Sequence, residues 1–193
     1  EMQRSLVGSE MCIRDSLYPV ILRMDCNPPR KHIVKTFSQK ISRTMKVAIV
    51  SHSDITGGAA IASLRLAESL IAAGVDARLV VNRRSRVNED KDYIVQAGDN
   101  LLSRACFLYE HANIFASNGF SRENLFKISV ASCGLPLHRH PVIKEADIVV
   151  LNWVNQGMIS LKEIGRLSAM GKIVVWVLHD MWPMTGICHY AEG

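Results

Sequence analysis

Strand-length apolar runs alternate with helical patterns along most of this chain, and this alternation limits the possible folds more than any other feature. Residues 47–51, 148–151 and 173–178 are such runs, rich in valine and isoleucine. Strands that alternate with helices pair in parallel through right-handed crossovers. Continuous apolar strands suit a sheet that is covered on both faces. The sequence therefore predicts an α/β, Rossmann-like three-layer domain with a mostly parallel sheet.

The other elements are predicted from hydrophobic periodicity and from glycine stop signals. In chain order they are a helix over 59–73, strands over 77–81 and 93–96, and helices over 101–115 and 158–170. Gly74 and Gly171 are expected to end the first and last of these helices. The prediction also places a charged, mobile loop at residues 82–92 and an irregular region at 117–141.

The first 44 residues differ from the rest because they show no sustained period of 2 or 3.6. Residues 4–16 resemble the conceptual translation of a sequencing adapter, and residues 17–44 look like translated upstream DNA. A genuine disordered arm is the alternative. We therefore expect a disordered or spurious leader over residues 1–44 and a folded domain over residues 45–193, with Met45 as the true start.

Charge and cysteine content narrow the possible partners and the compartment. The chain has a net charge of +5, but residues 45–193 carry only +1, so no nucleic-acid partner is expected. Five scattered cysteines without a C-x-x-C pair predict reduced thiols in a cytoplasmic protein. No apolar run reaches 18 residues, so no membrane-spanning helix is expected. Peripheral association with the inner face of a membrane is left open.

The first candidate site is the loop between the first strand and the first helix, which contains Gly57 and Gly58. Adjacent glycines let a backbone approach a ligand closely. The helix start behind them offers unpaired N–H groups that suit a phosphate or a carboxylate. The glycine spacing is neither that of a dinucleotide-binding loop nor that of a Walker A loop. A plain flexible turn is the alternative.

The second candidate site is the pair His179 and Asp180, which follows the apolar run 173–178. Ligands of open α/β sheets bind outside the carboxyl ends of the strands. His179 could donate a hydrogen bond to a sugar or stabilise charge on a departing group. Asp180 could orient the imidazole or bind substrate, although neighbours on an extended strand point to opposite faces, which favours separate roles. Alternatively, the pair caps the strand and packs against Trp182.

The third candidate site is Asn152 with Trp153, directly after the run 148–151. The amide could bind carbohydrate hydroxyls, and the indole could stack on a sugar face. An asparagine-rich turn over a buried tryptophan is the alternative.

No metal site is predicted from the remaining histidines and cysteines. Cys188 and His189 are adjacent, but two residues cannot complete a zinc site, which needs about four ligands. His138 and His140 stand in a proline-flanked loop and are expected to be solvated.

Three segments resemble the N-terminal half of a family 4 glycosyltransferase. They are residues 46–60, 146–155 and 176–190, and the last is the longest and the richest in uncommon residues. The resemblance covers residues 45–193. It implies the GT-B architecture, in which two Rossmann-like domains face each other across a cleft. In that architecture the N-terminal domain mainly receives the acceptor, and the C-terminal domain mainly holds the nucleotide-sugar.

The resemblance also assigns roles to individual residues. Gly57 and Gly58 match the glycine loop near the donor diphosphate and the acceptor. His179 matches the histidine that contacts the transferred sugar, and Asp180 and Trp182 complete its motif.

The chain departs from the family pattern in two places and lacks a third feature. Asn152 stands where a histidine is frequent, and Ile187 stands where a second glycine is frequent. The family's Glu-x7-Glu pair belongs to the C-terminal domain, so we expect the chain to be truncated before that donor domain.

The function implied by the resemblance is metal-independent, retaining transfer of a sugar from a nucleotide-diphosphate sugar to a glycan or lipid-linked acceptor in polysaccharide biosynthesis. No cofactor is implied. The implied catalytic residues are His179 and Asp180, the sugar-binding candidates are Asn152, Trp153 and Trp182, and the fragment alone is expected to be inactive. The alternative is a non-catalytic Rossmann-like module that binds a nucleotide or a glycan. An NAD-linked epimerase is disfavoured because G-x-G-x-x-G is missing.

Overall fold

The computed structural model describes residues 44–98, 100–122 and 125–190, together with the backbone of Leu22–Arg23. The rest of the expected leader lies outside the described residues. The strands are β1 (Leu22–Arg23), β2 (Lys46–Ser53), β3 (Asp76–Arg83), β4 (Ile94–Gln96), β5 (Ile148–Leu151) and β6 (Ile173–Trp176). The helices are α1 (Gly58–Ala72), α2 (Asn100–Ser117), α3 (Pro141–Glu145), α4 (Leu161–Ala169) and α5 (Trp182–Thr185).

All six strands belong to one sheet with the spatial order β1-β6-β5-β2-β3-β4. Strands β2 to β6 pair in parallel, and the two-residue β1 pairs antiparallel with β6. The chain runs outward from β2 to β4 and then returns to add β5 and β6 on the other side of β2. The strand order therefore reverses between β2 and β5, as in Rossmann-like domains. The predicted α/β, Rossmann-like fold is confirmed.

Apolar side chains fill both faces of the sheet. Ile49 and Val50 are neighbours on β2, and both are fully buried. Ile49 belongs to a cluster with Ala67 of α1, whereas Val50 belongs to a second cluster with Leu167 of α4. Successive strand residues point to opposite faces, so the continuous apolar run reflects a sheet that is covered on both sides.

The predicted loop at residues 82–92 is partly regular structure and is anchored by a buried carboxylate. Strand β3 continues to Arg83, and a short 3-10 helix follows at Arg86–Asn88. The buried carboxylate of Asp54 accepts hydrogen bonds from Ser85 N at 3.0 Å and from Asn88 Nδ2 at 2.8 Å. Asp54 lies about thirty residues earlier in the chain, so the local sequence of the loop could not reveal this anchor.

Helix α4 begins three residues later than predicted because Ser160 caps it. Ser160 Oγ accepts a hydrogen bond from Glu163 N at 3.2 Å, which satisfies a free N–H of the first turn. The buried carboxylate of Glu163 contacts His138 Nδ1 at 2.6 Å. His140 Nε2 lies 3.2 Å from the carbonyl oxygen of Gln96. The prediction that both histidines are solvated is therefore wrong.

Cys106 and Cys133 form a disulfide, which corrects the prediction of reduced thiols. Their Cα atoms are 5.4 Å apart, and the bond joins α2 to the irregular segment that follows it. Cys188 is free. The two paired cysteines are 27 residues apart, so their spacing in the sequence gave no sign of the bond. The prediction of a reducing compartment depended on all cysteines being reduced, so the disulfide removes that argument.

Helix α2 leaves much of its apolar surface exposed. Leu101, Leu108 and Tyr109 each expose more than half of their surface. Even so, none of the helices in the described ranges combines the length and the hydropathy needed to cross a membrane.

Candidate functional site at the carboxyl edge of the sheet

The segments that follow β2, β5 and β6 meet at the carboxyl edge of the sheet. His52 N donates a hydrogen bond to Trp153 O at 2.9 Å, which connects the β2 and β5 segments. His179 Nε2 lies 2.9 Å from Asn152 Oδ1, which connects the β6 and β5 segments. Parallel strands bring their carboxyl ends to one edge, so candidates far apart in sequence lie together. The site spans the point where the strand order reverses, which is where open α/β sheets bind ligands.

The glycine loop is an exposed turn that leads into α1. Ser53 Oγ accepts hydrogen bonds from the N–H groups of Ile55 and Thr56, at 3.2 and 3.1 Å, which sets the start of the turn. Gly57 has a φ of +89°, which side-chain-bearing residues rarely adopt. Helix α1 begins at Gly58 without a side-chain cap. No side chain therefore covers the first-turn N–H groups, and they can face an anionic ligand.

His179 is an exposed imidazole held by a buried amide. Its Nε2 donates to Asn152 Oδ1, which leaves Nδ1 as an acceptor. Surrounding protein atoms partly desolvate the ring and lower the pKa of His179, while the Asp180 carboxylate acts in the opposite direction. The imidazole is therefore mainly neutral at pH 7. Asn152 is 3% exposed, and its Nδ2 finds no acceptor among the described residues.

Asp180 belongs to a different set of contacts, which we call the Asp180 cluster: Asp180, Trp153, Trp182 and His189. Asp180 Oδ2 accepts from Trp153 Nε1 at 2.9 Å and contacts His189 Nδ1 at 2.5 Å. Asp180 Oδ1 accepts from Trp182 N at 3.1 Å. Both carboxylate oxygens are thus occupied by protein donors. His179 and Asp180 therefore have different hydrogen-bond partners.

The two tryptophans of the Asp180 cluster differ in exposure. Trp182 is 2% exposed, and its Nε1 donates to Ser129 O at 2.7 Å. Its ring also packs 5.6 Å from that of Trp176, so it belongs to the core and offers no face for stacking on a sugar. Trp153 is half-buried, and its ring stands edge-on to His52 at 5.5 Å.

The sequence pattern assigned no role to His52, yet it is a buried member of the site. Burial is the main cause that lowers its pKa to about 4, with a further contribution from the Arg83 charge; a hydrogen bond to the Asn155 backbone acts in the opposite direction. The ring is therefore neutral at pH 7. The available signal was a histidine that directly extends an apolar strand.

Metal ligands do not converge at this edge. Cys188 is half-buried, and its carbonyl accepts from Thr185 Oγ1. His189 is already engaged by Asp180. Within the described ranges, no group of three or more His, Cys, Asp or Glu residues is arranged to hold a metal ion.

A cavity of about 360 Å³ lies at the opposite, amino edge of the sheet, lined by Lys144, Asp147 and Lys172 among others. Lys172 Nζ donates to the carbonyls of Lys144 and Ala146, at 2.8 and 2.5 Å. The Lys172 ammonium thus satisfies carbonyl groups at the carboxyl end of α3, which is a structural role. None of the sequence-predicted site residues lines this cavity.

The fold and the site together define a Rossmann-like α/β domain with a polar carboxyl edge at the reversal of strand order. Comparison of the chain with protein-family models, with curated proteins and with solved structures gave no match. The sequence motifs alone therefore support the resemblance to family 4 glycosyltransferases.

Proposed function

We propose that this chain is the acceptor-side domain of a retaining glycosyltransferase that transfers a sugar from a nucleotide-diphosphate sugar to a glycan or lipid-linked acceptor. Two independent lines support the proposal. The motif of residues 176–190 is the most specific part of the family resemblance. The observation that carries most weight is the pairing of His179 with Asn152, 2.9 Å apart, which joins the β6 and β5 segments beside the reversal of strand order.

The chemistry of sugar transfer suits this arrangement. When the bond between sugar and phosphate breaks, positive charge grows on the sugar ring and negative charge grows on the diphosphate. A neutral imidazole adds no positive charge near the ring, and its Nδ1 can accept a hydrogen bond from a sugar hydroxyl. The open first-turn N–H groups of α1 favour the negative charge. Donors fixed in advance in this way stabilise a transition state more than they stabilise the substrate.

Asp180 acts as a positioning residue in this proposal. Its oxygens hold Trp153 and Trp182, which belong to the segments after β5 and β6. Because both carboxylate oxygens already accept hydrogen bonds from the protein, Asp180 is poorly placed to accept a proton from a substrate. In this proposal His179 is therefore the catalytic residue of the pair. Asp180 holds the segments that follow β5 and β6 in position.

One observation favours the second candidate, a non-catalytic nucleotide- or glycan-binding module. Asp54 and Asp180 are the carboxylates of the β2 and β6 segments, and protein donors engage both. The described part of this edge thus offers binding groups, while a transferase needs groups from a second domain. The alternative predicts sugar or nucleotide binding without turnover.

The experiment that separates the two functions begins with the reading frame beyond Gly193. A second α/β domain with paired glutamates would support the transferase, and a stop codon would support the binding module. In the longer protein, His179→Ala should lower turnover about 10²–10³-fold. Near-normal turnover of His179→Ala, at an unchanged thermal midpoint, would contradict the proposal.

A further inference from the structure

Arg83 presents an unneutralised positive charge beside the candidate site. It is the last residue of β3 and pairs in register with Ser53, where the glycine loop begins. It is exposed, and no carboxylate of the described residues forms an ion pair with it. An exposed arginine at the carboxyl edge of a Rossmann-like sheet stands where ligands bind.

The guanidinium of Arg83 is held in place by α2. It lies 5.7 Å from the ring centroid of Phe107, within the range of a cation–π contact. Such a contact restricts a long side chain without using its N–H donors. Arg83 therefore keeps its donors for another partner.

The charge of Arg83 also reaches the buried part of the site. It contributes, after burial, to the low pKa of His52. The ring of His52 lies 5.5 Å from that of Trp153. An arginine that acts on a buried histidine next to Trp153 is close enough to act on a ligand at the same edge.

Two charged groups next to Arg83 and the glycine loop, Arg84 and Asp54, are already engaged in structural contacts. Arg84 donates to the carbonyls of Asn88, Glu89 and Lys91, at 3.1 to 3.3 Å. Asp54 is fully buried and is engaged by Ser85 and Asn88. Unlike the side chains of Arg84 and Asp54, the guanidinium of Arg83 keeps its N–H donors free of hydrogen bonds within the described residues.

We propose that Arg83 binds a phosphate group of the acceptor on the β3 side of the candidate site, beside the glycine loop. The proposal rests on the proposed function and adds an anionic acceptor to it. The guanidinium presents paired N–H donors that match phosphate oxygens, and such charge-assisted bonds are about twice as strong as neutral ones. The uncapped N-terminus of α1 adds positive electrostatic potential, which also favours an anion. The phosphate could belong to a lipid-linked acceptor or to a soluble phosphorylated glycan.

The test uses the whole chain and inorganic pyrophosphate as the probe, with binding followed by calorimetry at low and high salt. Arg83→Gln should weaken binding at least about tenfold. The matched control is Arg78→Gln, an exposed arginine five residues earlier on β3, about 17 Å nearer the amino edge. The control should bind like the unaltered chain. Equal affinity of both variants, or no binding by the unaltered chain at millimolar pyrophosphate, would overturn the proposal.

A second variant keeps the charge and removes its support. Phe107→Leu should weaken pyrophosphate binding about twofold to fivefold, because it removes the ring beneath the guanidinium. This variant also carries the test if Arg83→Gln does not fold. Unchanged affinity of Phe107→Leu would contradict the idea that Phe107 positions Arg83.

Vesicles distinguish the two sources of phosphate. A lipid-linked source predicts that the chain sediments with phosphatidylcholine vesicles containing phosphatidylglycerol, and that Arg83→Gln reduces this binding. A soluble source predicts pyrophosphate binding without vesicle binding. If the longer protein shows His179-dependent turnover but Arg83→Gln has no effect on binding, this inference fails and the transferase stands. If Arg83-dependent binding occurs and the longer protein shows no turnover, the proposed function fails and an anion-binding module remains.

Discussion

His179 and Asp180 are neighbours in sequence, yet they belong to two different kinds of structure. Asp180 is nearly buried, and both of its oxygens accept hydrogen bonds from the protein. His179 is exposed and makes a single side-chain hydrogen bond, to Asn152, whose own Nδ2 is left without an acceptor in the described structure. Buried polar groups are normally satisfied. The difference indicates that the Asp180 cluster supports the fold, while the His179–Asn152 pair is available to a ligand.

Removing Asp180 should have the largest effect on stability. Asp180→Ala leaves Trp153 Nε1, His189 Nδ1 and Trp182 N without their acceptor. The free energy of unfolding should fall by about 3–4 kcal/mol, as expected when one partner of a buried charged network is lost. Urea denaturation at pH 7 measures this loss. Asp90→Ala is the control, because Asp90 is exposed and its removal should cost less than about 0.5 kcal/mol.

A change of pH tests His52, which contacts Trp153 of the Asp180 cluster. Its pKa is about 4 in the folded chain and near 6.5 when unfolded. Between these values the unfolded state binds more protons, so stability should fall as the pH drops from 6.5 to 4. The loss from His52 is about 3 kcal/mol at most, and it is absent above pH 6.5. The lowered pKa values of His140 and His179 act in the same direction.

His52→Gln isolates that contribution. Unfolding curves of the variant should depend less on pH across this window than those of the unaltered chain. If both proteins lose stability in parallel, His52 is not a buried neutral histidine.

The two glycines of the loop should respond differently to substitution by alanine. Gly57→Ala forces a side chain into a φ of +89° and should cost about 1–2 kcal/mol. Gly58 starts a helix in open space, so Gly58→Ala should be neutral or stabilise the chain by up to about 0.5 kcal/mol. Thermal midpoints of the two variants check this difference. A similar midpoint for both would mean that the turn does not need the positive φ.

Only a small loss of stability is expected at His179. His179→Gln keeps a hydrogen-bonding group near Asn152, and the residue is exposed, so the stability loss should stay below about 1 kcal/mol. Urea denaturation beside the unaltered chain gives the value. If the free energy of unfolding fell by several kcal/mol, His179 would support the fold as the Asp180 cluster does.

Periodicity and strand-end rules gave most of the fold. The apolar runs and Gly74 depend only on local sequence, and Gly74 ends α1 with a positive φ, as predicted. The errors came from distant partners. Asp54 fixes residues 82–92, Cys106 pairs with Cys133, and Ser160 rather than Met158 marks the start of α4.

The site was predicted as a place more reliably than as a set of roles. The rule for parallel sheets located the candidate residues at one edge. It could not show that Trp182 lies in the core, because that position depends on the hydrogen bond from Trp182 Nε1 to Ser129 O. Nor could it show that the Asp180 carboxylate is already hydrogen-bonded, because one of its partners is His189. Arg83 could not be predicted as a site residue, because the ring that holds its guanidinium belongs to Phe107 on helix α2, far away in the sequence.

Side-by-side urea denaturation of Asp180→Asn and His179→Gln at pH 7 tests the central distinction most directly. Both variants keep a polar side chain that can form hydrogen bonds, so the comparison tests what each original group does for the fold. The account predicts that Asp180→Asn loses at least about 2 kcal/mol more stability than His179→Gln. Losses within about 0.5 kcal/mol of each other, or a larger loss for His179→Gln, would contradict it.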